Sequence, residues 1–252
     1  MRDGLRLAVG TLTIVPTGQV APITRDTAAR AMVLAPVAAL PVAIAAALMA
    51  AAGDFLGLPA LLTAVLIVAA NGLLTRGMHL DGLADTVDGF GAGWDRARAL
   101  EVMRKGDVGP MGAVALVVFV VAQTVAIAAC LDRPWGPLVI AAVIVTSRAA
   151  CAIVCRAGVT PARSDGLGSP MAGAVPTAAA LVVALTVTVV LACTVTPFWQ
   201  GALAAAAGLG AAYLVERKAT RVLGGVTGDV IGAAISVTET VILIVLAAKG
   251  WR

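Results

Sequence analysis

The sequence predicts an all-α, polytopic integral membrane protein with about seven transmembrane helices and a cytoplasmic-side active site. Of its 252 residues, 60% are hydrophobic and 13% charged, with a mean hydropathy of +1.00. Soluble domains run at about 45–50% apolar and about 25% charged, so a soluble core could not absorb this excess. Uncharged runs approaching the about 20 residues that cross a hydrocarbon core recur along the chain. Basic residues cluster between alternate runs, as positive-inside topology requires.

In chain order the expected spans are about 31–53, 56–75, 111–131, 134–155, 172–196, 198–215 and 230–248. The stretch Leu5 to Val15 is too short and too quickly followed by Pro16, Arg25, Asp26 and Arg30 for a cleavable leader. With the N-terminus inside, fourteen of the 18 Lys and Arg residues fall on the cytoplasmic side. Only Arg133, Lys249 and Arg252 fall outside, and Arg148 lies within the fourth span. Trp135, Trp199 and Trp251 then lie at the outer interface, which favours amphipathic rings. This topology accounts for the net charge of +4 without nucleic acid as a partner. Cys130, Cys151, Cys155 and Cys193 all fall in apolar stretches and read as packing residues. Ala- and Gly-rich runs such as Ala43 to Ala52 suit close helix packing. The whole chain, 1–252, reads as one membrane domain for which an oligomer is compatible.

Chemistry concentrates between Arg76 and Pro110, which holds six of the 14 acidic residues: Asp81, Asp85, Asp88, Asp95, Glu101 and Asp107. Asp81, Asp85 and Asp88 stand at i, i+4 and i+7, so on a helix continuing the second span they share one stripe. Like charges at that spacing repel, and a divalent cation reverses the sign of the interaction. A solvated acidic face is the alternative, but it would not need acid at all three stripe positions. All-carboxylate sites suit hard cations, and no second His is available for a zinc set, so Mg²⁺ or Mn²⁺ is expected. Magnesium completes its shell with water and phosphate oxygens, which implies a phosphorylated substrate. His79, the only histidine, stands beside the stripe as a candidate for phosphate contact or proton transfer.

Beyond it, Arg104 and Lys105 are candidate phosphate contacts and Asp107 a further substrate-side residue, although bases at a membrane boundary also serve as topology anchors. The run Gly224-Gly225-Val226-Thr227-Gly228-Asp229 opens the last span. A Gly-rich helix start there suits phosphate, with Thr227 and Gly228 as contacts and Asp229 as a fourth carboxylate ligand, or else Thr227 and Asp229 simply cap the helix. Arg148 is costly inside a span unless it meets an acid or a phosphate near the cytoplasmic end, and Glu239 lies deep in the seventh.

The runs His79-Leu80-Asp81-Gly82-Leu83-Ala84-Asp85-Thr86-Val87-Asp88-Gly89, Met103-Arg104 to Val108-Gly109, and Gly224 to Asp229 with Gly232-Ala233 resemble, in this order, the cobalamin synthase family, the adenosylcobinamide-GDP ribazoletransferases. Lys105 stands where family members usually carry an acid, and Thr13-Ile14 where they carry Thr-Arg. The resemblance implies a Mg²⁺-dependent enzyme of the bacterial cytoplasmic membrane that joins adenosylcobinamide-GDP to α-ribazole or its 5′-phosphate and releases GMP. Asp81, Asp85 and Asp88 would then hold metal with Asp229 in support, and Arg104, Lys105 and Arg148 would clamp phosphate. Asp85 to Ala92 also imitates the opening of the CDP-alcohol phosphotransferase motif, but Gly93 replaces its arginine and the later acidic half is missing. A cation-coupled transporter would place its acids at mid-bilayer, whereas here they gather at one edge.

Overall fold

Proline and left-handed turns decide where the apolar runs break. The computed structural model describes residues 2–18, 20, 22–93, 95–166 and 168–248. Lys249, Trp251 and Arg252 therefore lie outside the described residues. Helix α1 (Arg2–Leu12) packs on α2 (Arg25–Val33), whose N-cap Thr24 accepts from the Thr27 amide. The first expected span is divided, because Pro36 and Pro41 lack amide hydrogens and stand in the first turns of α3 (Ala35–Ala38) and α4 (Leu40–Phe55).

The second span ends α5 (Ala60–Leu74) in a tight turn. The Gly77 amide donates to the Gly72 carbonyl at 2.7 Å and the Arg76 amide to Leu73 at 3.0 Å. Arg76 and Gly77 are both left-handed, at φ 57° and 67°. The acidic helix α6 (Met78–Gly91) therefore leaves at 86° to α5. This corrects the expectation that the carboxylate stripe continues the second span: two left-handed residues turn it across the end of the bundle, outside the crossing segments.

Asp95 caps α7 (Arg96–Val102) by accepting from the Ala97 and Arg98 amides. Then follow α8 (Pro110–Leu131), α9 (Gly136–Ser147), α10 (Ala150–Val154), α11 (Gly168–Met171), α12 (Thr177–Thr194), α13 (Phe198–Leu223) and α14 (Gly228–Ala247). Among the described residues five segments are long and apolar enough to cross a membrane: α8, Gly136–Val154, α12, α13 and α14. The bent pair α5 and α6 passes the same test together, and α4 is apolar but only 16 residues long. The seven expected runs thus each contain helix, while five to six qualify as candidate spans.

The central element is α14, buried along most of its length against α13, α6, α8 and α9. Ile67, Ile127, Ile140, Leu191, Ile242 and Leu246 belong to the main apolar core. By contrast α8 and α12 point Val114, Val117, Val121, Leu181, Val182 and Leu185 outward, where a bilayer supplies the solvent. At the far end Arg133 donates to the carbonyls of Thr196 and Leu246 and to Gln200 Oε1, tying three helix ends together beside exposed Trp135 and Trp199.

Candidate active site

Close approach of α6 to α14 builds the site. A Cβ on Gly82 would stand 2.6 Å from the Asp229 carbonyl oxygen and 3.0 Å from its Cα, and one on Gly232 would stand 3.1 Å from the Met78 carbonyl. Only glycine at the tighter of these positions lets the two backbones meet. The Ser236 hydroxyl fixes the crossing by donating to the His79 carbonyl at 3.0 Å. As a result Asp81 and Asp229, far apart in sequence, line one cavity of about 260 Å³ with His79, Arg163, Asp165 and Thr227.

Thr227 is the N-cap of α14, its hydroxyl accepting from the Val230 amide at 3.2 Å. Asp229 follows in the first turn, where the helix dipole favours an acid, and it pairs with Arg163 at 3.1 Å. Gly228 also borders the cavity. Arg163 arrives on the loop after α10, which hydrogen-bonds to the Gly224-Gly225-Val226 turn: the Val226 amide donates to Thr160 and the Ala162 amide to Val226. That loop also brings Asp165, which pairs with exposed Arg104 at 3.2 Å.

Asp85 is buried close behind. Burial first, then the charges of Asp81, Asp229 and Asp88, push its carboxyl up to about 6, with Arg163 opposing. Three acids thus face one guanidinium. His79 is buried with Nε2 lacking a partner.

The third stripe residue has another task. Asp88 accepts from the Gly109 amide at 2.8 Å and the Gly112 amide at 2.9 Å, capping the start of α8 from a neighbouring helix. A Cβ at either glycine would strike its carboxylate, so both positions need glycine for the cap to form. Asp88 thus has a structural task, and it does not line the cavity that Asp81 and Asp229 share. Arg148 is also reassigned. It is fully buried within the bundle, does not line the cavity, and pairs with Glu239 while also donating to Asn71 Oδ1 at 3.1 Å and Ser147 Oγ at 2.7 Å. The acid that a buried arginine requires is Glu239, which leaves no phosphate contact for Arg148. Lys105 is exposed and pairs with Glu101 at 3.4 Å, and Asp107 is exposed as well; neither lines the cavity.

Arg163 and Asp165 were not singled out in the sequence. Their only signal was a polar loop carrying both signs of charge between two spans. Among the described residues no three His, Cys, Asp or Glu side chains gather closely enough to hold an ion by themselves. The donor set nonetheless fits Mg²⁺, which takes one or two carboxylates and completes its octahedron with water and substrate phosphate.

The fold and the cavity define a class: a multi-pass helical membrane protein with an acidic, glycine-built site at one end of its bundle. More specifically, the chain belongs to the cobalamin-5-phosphate synthase family, whose profile matches residues 4–247. It is 43% identical over 249 residues to a relative named adenosylcobinamide-GDP ribazoletransferase from Nocardioides sp., covering 99% of this chain and all of the relative. Relatives of the same name from Frankia casuarinae and Bradyrhizobium diazoefficiens are 36% and 39% identical, over 96% and 97% of this chain and 93% of each relative. No solved structure matches the chain. These matches support neither a CDP-alcohol phosphotransferase nor a transporter.

Proposed function

We infer that this chain joins adenosylcobinamide-GDP to α-ribazole or its 5′-phosphate, giving adenosylcobalamin or its 5′-phosphate and releasing GMP, a late step of cobalamin biosynthesis. The observation that carries this is similarity over almost the whole chain to relatives named for that activity. In the reaction a ribazole hydroxyl oxygen bonds to the phosphorus on the cobinamide side of the pyrophosphate. The bond from that phosphorus to the bridging oxygen breaks, GMP leaves with the bridging oxygen, and the hydroxyl proton passes to a base.

Mg²⁺, or Mn²⁺, is the cofactor we propose, and when bound it supplies Lewis-acid stabilisation of the charge on the transferred phosphoryl group. Asp81 and Asp229 would hold it from two rigid helices, with Asp85 adding negative charge behind them. Arg163, on the cavity wall, is the cation best disposed to meet phosphate, with Arg104 reaching the rim through Asp165. Of the proton acceptors that line the cavity, Asp165 and Asp229 are paired with arginines, and Asp81 and His79 are the candidates to take the hydroxyl proton. We propose the bacterial cytoplasmic membrane as its location with the N-terminus inside, a reading supported by the distribution of Lys and Arg.

The test is GMP release by purified protein given both substrates, with and without Mg²⁺. Release is expected to stop in excess chelator. Asp81→Asn and Asp229→Asn should each lower kcat by about 100-fold or more, of the order seen when an electrostatic contact to the transition state is removed, and should raise the Mg²⁺ requirement at equal amounts of folded protein. Full activity in chelator overturns the metal, and absence of GMP under every condition overturns the reaction.

A further inference from the structure

We propose that the bend between α5 and α6 is a binding site for one anionic phospholipid, with its phosphate on Arg6 and Arg76 and an acyl chain in the groove between α5 and α8. Two adjoining cavities of opposite character meet there. One, of about 380 Å³, holds Arg6 and Arg76 beside the Pro16-Thr17-Gly18 turn. The other, of about 900 Å³, is lined almost wholly by apolar side chains, Leu61, Val65, Leu73, Val121 and Val125 among them, and Arg76 is the one charged residue on its wall. Arg76 borders both, so a phosphate held there would have its hydrocarbon directed along α5 and α8, against outward-facing valines and leucines.

Both guanidiniums have charge to offer. Arg76 donates only to the carbonyls of Gly10 and Thr11, and Arg6 only to the carbonyl of Thr17, and neither forms an ion pair among the described residues. Both are exposed. Carbonyl contacts of this kind orient a guanidinium without neutralising it. Arg76 also occupies a left-handed position at the end of α5 where glycine would be relaxed, which is a backbone cost borne for a side chain at that point. A free phosphate ester would use the two arginines but not the apolar groove, and a neutral lipid would use the groove but not the arginines. The combination selects an anionic lipid.

The site also touches the catalytic region. Gly77 and Leu80 line the groove while Met78, His79 and Asp81 line the acidic cavity, so opposite sides of the first turn of α6 face lipid and substrate.

The experiment uses the full chain in nanodiscs of phosphatidylcholine alone, or of one part phosphatidylglycerol in four. Native mass spectrometry reads the lipid retained and thermal unfolding reads the stability. Wild type should keep one phosphatidylglycerol in preference to phosphatidylcholine and unfold at higher temperature when it is present. Arg6→Gln and Arg76→Gly should each weaken that retention about fivefold, the contribution of one basic side chain near anionic lipid. Arg76→Gly relaxes the backbone, so its unfolding in phosphatidylcholine alone controls for misfolding. Val121→Trp, which fills the groove, should weaken retention with both arginines in place. Equal retention of the two lipids by wild type overturns the proposal. Retention unchanged in the Arg6→Gln/Arg76→Gly double variant also overturns it, as does displacement of the lipid by millimolar inorganic phosphate.

Discussion

Two clusters of charge are built on α14 about ten residues apart, and they are treated in opposite ways. Deep in the bundle, Glu239 meets Arg148 one to one, and both carboxylate oxygens are further hydrogen-bonded: Asn71 donates to Oε1 at 2.7 Å and Ser147 to Oε2 at 3.1 Å. At the end of the bundle, Asp229 pairs with Arg163, which also opposes the charge around Asp85, while Asp81 lines the same cavity; the Arg163 side chain is 18% exposed against 1% for Arg148. A buried ion that is matched and hydrogen-bonded is structural, because nothing further can reach it. A cluster left net negative at the wall of a cavity has room for a cation from outside. The burden of charge inside this membrane protein is thus divided between one closed pair that holds helices α5, α9 and α14 together and one open set at the wall of the candidate site.

The sharpest way to break the contrast is to unbalance the closed pair. Glu239→Gln leaves Arg148 without its counter-charge and should cost about 3–5 kcal/mol of stability. The double change Arg148→Met/Glu239→Leu should recover much of that loss. Thermal unfolding in detergent decides it, and a single variant as stable as wild type would show that Arg148 finds a partner elsewhere.

A smaller loss is expected where the open set is assembled. Gly82→Ala places a methyl within 2.6 Å of the Asp229 carbonyl, and separating α6 from α14 should cost roughly 1–3 kcal/mol while also lowering activity. Activity kept at wild-type level would mean that the carboxylates of α6 and α14 need not meet.

A third effect has the opposite sign. The Asp85 carboxyl is raised from its usual 3.8 to about 6, so the fold favours its protonated form. This contribution to stability is present below about pH 4 and lost as pH rises through about 6. Asp85→Asn should therefore leave the metal-free protein more stable than wild type at pH 7, with the gap closing toward pH 4. Unfolding temperatures across that range check it, and a gap that grows at low pH would reverse the assignment.

Much of the site was legible because its chemistry is local in the chain. The spacing of Asp81 and Asp85 puts them on one helical stripe whatever that helix packs against, and Thr227-Gly228-Asp229 reads as a helix start from residue types alone. Asp88 falls on the same stripe but caps α8, since its neighbours Gly109 and Gly112 come from the start of a separate helix. Arg163 has no local signal beyond a charged loop between two spans, and only the folding of that loop onto Val226 carries it to Asp229.

By itself, then, the sequence determined that the chain is a helical membrane protein, which ends carry its basic residues, and which segment concentrates acid, because hydropathy and helical period are properties of neighbouring residues. Tertiary structure alone decided that α6 turns across the bundle, that Glu239 rather than phosphate satisfies Arg148, and that Arg163 faces the acids. Each of those depends on groups meeting across 66 to 147 positions of chain: the Gly82 and Asp229 backbones where the turned α6 seats on α14, and the side chains of Arg148 with Glu239 and Arg163 with Asp229. Such approaches are set by the shapes of packed helices, which no local pattern encodes.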